Sequence, residues 1–132
     1  MIMTEAEALQ LSGRPNLLAA ARWVCERGPA WCVIKKGEHG AMLLEGRGGG
    51  VRLFAAPAFP VERVVDPTGA GDTFAGGMMG ALARAGAVPP GFEELRRAVC
   101  VGTVLASFNV EDFGLDRLRR ATAGEIAARY RE

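Results

Sequence analysis

Apolar positions recur at helical spacing after Pro15-Asn16. Leu17, Leu18, Ala20, Ala21, Val24 and Cys25 share one face, and the pattern stops at Gly28-Pro29. This period predicts a helix over about Asn16–Arg27. Trp31–Ile34, Ala41–Leu44 and Val51–Phe54 are short β-rich runs, the last with some alternation, and predict three strands. Gly46-Arg47-Gly48-Gly49-Gly50 is bracketed by the last two runs and predicts a flexible hairpin loop, not a domain linker. A helix feeding a buried strand and then a hairpin points to the α/β class. Pro57 to Pro60 interrupts the pattern, and Val61–Val65 then leads into Asp66-Pro67-Thr68-Gly69-Ala70-Gly71-Asp72. That loop empties into a helical pattern from Thr73 to about Ala85. A further helix is predicted from Phe92 to about Asn109, with Leu95, Val99, Val101, Gly102, Leu105 and Phe108 on its buried face. Thr122-Ala123-Gly124-Glu125 has the form of a capping box and starts another helix. The second half therefore reads as mostly helical.

Composition narrows the function classes. A chain of 132 residues is long enough to bury a core, so one domain or a piece of one is expected. Sixteen Lys and Arg against fifteen Asp and Glu leave a net charge of +1, too little to wrap nucleic acid or hold an anionic membrane. Any anion must be held locally. A hydrophobic share of 49% excludes a disordered chain. Charged residues interrupt every apolar stretch well short of a membrane span. Glu5 and Glu7 stand where a signal peptide would need a basic start. Three cysteines, Cys25, Cys32 and Cys100, cannot close a disulfide framework and lack metal-ligand spacing. A soluble protein of a reduced, cytoplasmic setting is expected.

The candidate chemistry lies at Gly69-Ala70-Gly71-Asp72, directly before a helix. Small residues let the backbone approach a ligand closely, and the N–H groups and positive dipole end of a helix stabilise phosphate oxygens without any net protein charge. Asp72 beside those N–H groups can accept a proton from an attacking hydroxyl while they neutralise charge on a transferred phosphoryl group. A plain glycine turn and a capping aspartate explain the same residues taken singly.

The longer string Val65-Asp66-Pro67-Thr68-Gly69-Ala70-Gly71-Asp72-Thr73-Phe74-Ala75-Gly76-Gly77 resembles the C-terminal signature of the ribokinase/PfkB carbohydrate kinase family. Glu5 to Gly13 resembles that family's Asn-x-x-Glu-Ala segment, and Val33 to Ala41 its strand-loop-strand at the nucleotide. Ala106 to Val110 resembles the helix end bordering the adenine and monovalent-cation sites. The resemblance implies the C-terminal, nucleotide-side portion of one ribokinase-like three-layer α/β/α domain spanning residues 1–132, without the sugar-binding half and lid. It implies Asp72 as general base, Gly69, Ala70 and Gly71 as anion hole, and Lys35, Gly37, Thr103 and Ser107 as ATP contacts. It implies Mg²⁺ near Glu7 through water, with Thr4 standing where the family has asparagine, and a potassium-like cation near Asp66 and Thr68 with carbonyls from Val110 to Gly114. His39, the only histidine, is expected in an exposed loop without a catalytic role.

The activity so implied is ATP-dependent phosphorylation of a sugar hydroxyl, with a nucleoside acceptor as the alternative. The isolated stretch is expected to be inactive alone. A non-catalytic nucleotide-binding or assembly module is the reading from another class; there an open sheet edge would drive dimerisation or association. A Rossmann dehydrogenase is disfavoured, because Gly69-Ala70-Gly71 lacks the third glycine at the required spacing.

Overall fold

The computed structural model describes residues 1–46 and 50–132; Arg47, Gly48 and Gly49 of the expected hairpin loop lie outside the described residues. The chain forms two compact units, Met1–Ala56 and Pro57–Glu132.

The first unit is α/β, as expected. Strand β1 (Ile2–Thr4) leads into α1 (Glu5–Ser12) and α2 (Leu17–Cys25), and β2 (Trp31–Lys35), β3 (Ala41–Glu45) and β4 (Arg52–Ala56) follow. The sheet order is β1-β2-β3-β4, parallel between β1 and β2 and antiparallel elsewhere. The sequence pattern missed β1 and α1. Thr4 caps α1 by accepting from the Glu7 N–H, while the Thr4 N–H donates to the Glu7 carboxylate, a capping box at the same spacing as Thr122 and Glu125. Asn16 caps α2 by accepting from the Ala19 N–H, so the predicted start holds, and the helix ends at Cys25. Met3, Ala8, Ala20, Ala21, Val24, Cys32, Ile34, Met42 and Leu44 form its core. Val33 and Leu43, on the opposite face of β2 and β3, are also buried, which explains why those strands read as unbroken apolar runs.

The second unit is built on α3 (Ala70–Ala85) and α4 (Phe92–Asn109), followed by α5 (Asp116–Arg120) and α6 (Ala123–Arg131). Phe74 and Met78 of α3 pack in the core with Leu95, Ala98, Val99, Val104 and Phe108 of α4. Glycine lets the two helices touch: a Cβ on Gly102 would stand 2.7 Å from the Phe74 carbonyl oxygen, and one on Gly77 2.7 Å from Leu105. Gly102→Ala is expected to destabilise the protein by about 1–3 kcal/mol through overpacking. A thermal melt checks this; an unchanged midpoint would mean the helices can part at no cost.

Charged residues fasten α6. Arg117 bridges Glu111 at 3.2 Å and Glu125 at 2.8 Å, and Arg129 reaches Glu111 at 2.9 Å while lying 3.7 Å over the Phe108 ring. Hydrogen bonds from Thr122, then from Arg117, hold the Glu125 carboxyl down to about 2 from an ordinary 4.5. Its folded value lies below the unfolded one, so its stabilisation is fully present above about pH 4.5 and is lost as pH falls towards 2. The Ile126 N–H, bonded to the Thr122 carbonyl, is therefore expected to lose protection over that window. Glu125→Gln should remove that dependence, so identical acid profiles in the two proteins would refute the assignment.

Candidate functional site

The Asp66–Asp72 loop is anchored at both ends. The Val65 and Asp66 N–H groups both donate to the Val110 carbonyl, at 2.8 and 3.3 Å. The Asp66 carboxylate accepts the Thr68 N–H at 2.9 Å and the Gly114 N–H at 3.4 Å. The Thr68 hydroxyl and N–H, and more weakly Gly114, hold that carboxyl below its usual value. Pro67 follows with a fixed φ, and Gly69 then takes φ 80, a left-handed conformation a β-branched side chain would strain. The Ala70 N–H closes onto the Pro67 carbonyl at 3.2 Å and the Thr73 N–H onto the Gly69 carbonyl at 2.8 Å.

Helix α3 thus begins at Ala70, three residues before the predicted Thr73. The glycine-rich stretch read as loop, yet only Gly69 needs the left-handed turn; Ala70, Gly71 and Asp72 form the first helical turn. Gly69 is the N-cap, and no side chain caps the helix. N–H donors at the dipole's positive end, with no Cβ on Gly69, suit phosphate oxygens. Asp72 is exposed beside them and can take a proton from a hydroxyl aimed at a phosphorus atom held there.

Sequence reasoning missed the residue that ties this loop to α4. Asn109 is 1% exposed; its Nδ2 donates to the Thr68 carbonyl at 2.9 Å, and its Oδ1 accepts the Thr73 hydroxyl at 2.8 Å. The sequence placed it only within the Ala106–Val110 stretch of the resemblance and gave it no role of its own.

The other expected site residues fall as follows. In the first unit, Lys35 ends β2 half-buried, paired in register with Thr4, and Gly37 opens a 3₁₀ turn with φ 57. Thr4 hydrogen bonds, and more weakly the Lys35 charge, pull the Glu7 carboxyl down, so that carboxylate already serves the cap of α1. His39 is exposed beside Glu38, as expected. In the second unit, the Thr103 hydroxyl bonds back to the Val99 carbonyl at 3.1 Å. Ser107 is buried, donating to the Val104 carbonyl at 2.6 Å and accepting from Arg129 at 2.9 Å. A cleft of about 450 Å³ lined by Phe59, Val61, Glu111 and Arg129 includes none of Gly69–Asp72.

Among the described residues, no three His, Cys, Asp or Glu side chains cluster as a metal site, and no helix is long and apolar enough to cross a membrane. The structure does bring Asp66, Thr68 and the 110–114 segment together. However, both Asp66 oxygens accept backbone N–H groups, and the Thr68 carbonyl faces the Asn109 amide. Each of these oxygens accepts one hydrogen bond and keeps a further lone pair.

Comparison with known proteins gives a consistent picture. The family model described as pfkB family carbohydrate kinase matches residues 1–120. A cytidine kinase from Thermococcus kodakarensis is 39% identical over 80 residues, covering 61% of this chain and 28% of that protein. The aminoimidazole riboside kinase of Salmonella enterica, solved with aminoimidazole riboside and an ATP analog, superposes with a TM-score of 0.78 at 27% identity over 98% of this chain and 41% of that one. A Vibrio cholerae O395 fructokinase double mutant, solved with fructose, ADP and potassium ion, has a TM-score of 0.81 at 19% identity over 96% of this chain and 39% of that one, a likeness of fold alone. The chain thus spans well under half the length of each.

Proposed function

Because the chain belongs to the pfkB family of carbohydrate kinases, we propose that it supplies the ATP side of a phosphoryl transfer to a hydroxyl of a sugar or sugar-like substrate. The observation that carries this reading is the start of α3: its N-cap is Gly69, which has no side chain, and Asp72 lies in its first turn. In phosphoryl transfer, positioning and charge stabilisation supply nearly all the catalysis. The positive dipole end at this helix start binds the phosphate and stabilises charge growing on it, while Asp72 accepts the proton of the attacking hydroxyl. Lys35 and Gly37 in the first unit are assigned to ATP contacts. Thr103 and Ser107 enter through the helix surface they build, since their hydroxyls are engaged within α4. Magnesium, when bound with the nucleotide, neutralises phosphate charge as an octahedral, oxygen-ligated ion; Glu7 is the carboxylate assigned to its water shell.

A nucleoside acceptor is the second reading, favoured by the 39% identity to a cytidine kinase and the likeness to a riboside kinase. A panel of sugars and nucleosides, assayed for transfer of labelled γ-phosphate from ATP by the intact protein, separates the two. Labelled sugars support the first reading and labelled nucleosides the second. ATP binding without transfer to any acceptor would favour a non-catalytic nucleotide-binding module, and absence of ATP binding would defeat all three.

A further inference from the structure

The two bonds of Asn109 flank the candidate phosphate turn, at Thr68 on the loop side and at Thr73 within the first turn of α3. They span 41 and 36 residues of sequence, so they join α4 to both sides of the Gly69–Asp72 segment. The amide also packs on that segment: a Cβ on Gly69 would meet Asn109 Oδ1 at 3.7 Å. Both polar atoms of a buried amide are thus bonded, one to a carbonyl and one to a side-chain hydroxyl, by the one stretch of chain whose shape the proposed chemistry needs.

We propose that Asn109 is the positioning residue of this turn. The link to catalysis rests on the kinase reading; the brace itself does not. An amide hydrogen already lies against the Thr68 carbonyl, and two N–H groups hold the Asp66 carboxylate.

Amide exchange followed by NMR on this chain tests the brace without nucleotide, with Ala70 and Thr73 as reporters because both N–H groups are bonded within the turn. Asn109→Ala is expected to speed exchange at both at least tenfold, with Val104 in mid-α4 unchanged. Thr73→Val, which removes only the hydroxyl bond, should give part of that effect and serves if Asn109→Ala does not fold. Uniform acceleration along α3 and α4 would reduce Asn109 to general packing and overturn the proposal. Titrating ATP into the same samples separates the two readings: a wild type that ignores ATP while the exchange pattern holds costs the kinase reading and leaves the brace. If wild type binds ATP, Asn109→Ala is expected to bind at least tenfold more weakly at a temperature where both are folded, and equal affinity would overturn the positioning role.

Discussion

In an intact kinase carrying this chain, Asp72→Asn is expected to lower the rate of phosphate transfer by about 10²–10⁴-fold, the usual contribution of a positioned general base. The fold should survive. Asp72 is exposed in the first turn of α3, and the cap position belongs to Gly69, so the carboxylate is not the cap. Losing its favourable interaction with the helix dipole should cost less than about 1 kcal/mol. The amide of asparagine keeps the shape but cannot take the proton. Steady-state kinetics should therefore show kcat falling while ATP binding persists, or tightens slightly because a negative charge has left the phosphate site. A variant retaining full kcat would move the base elsewhere and leave Asp72 as a helix-dipole residue.

Local signals carried much of this architecture and none of its long-range bonding. The α4 bounds, Phe92–Asn109, match the apolar periodicity, though Val101 and Leu105 of the expected buried face are half-buried while Ala98 and Val104 are buried. The start of α6 was legible because Thr122 and Glu125 sit three apart and bond reciprocally. Thr4 and Glu7 carry the same spacing, but β1 has only three residues, too short for a periodicity to announce the helix after it. Thr103 and Ser107 were legible as a helix face but not in their bonding, since hydroxyls in helices turn back onto carbonyls one turn earlier. Asn109 was legible only as part of the Ala106–Val110 resemblance, and its bonds were not, because its partners lie 36 and 41 residues away. The candidate site thus showed in sequence as its ligand-facing backbone, while the side chain supporting that backbone needed coordinates.

The Gly69→Val/Gly71→Val double variant is expected to lose measurable ATP binding by calorimetry. Gly69 sits at φ 80, where valine is strained, and its new side chain would press on the Asn109 amide that braces the turn. Valine at the second helical position adds a branched side chain beside the N–H groups proposed to face the phosphate. Hydrogen bonds to a charged group contribute about 1.5–3 kcal/mol each, so losing two weakens binding by about 10²–10⁴-fold. Gly76→Ala is the matched control. It lies inside the same helix with nothing within 4 Å of its added methyl, so it should bind ATP normally and melt slightly higher. Loss of binding in the double variant alone ties the nucleotide to this turn, because a general injury to α3 would reach the control's neighbourhood too. If a folded double variant bound ATP as wild type does, the start of α3 could not be the phosphate site. Asp72 would then have no phosphorus atom nearby for the hydroxyl it deprotonates to attack, and the kinase reading would lose the observation it stands on.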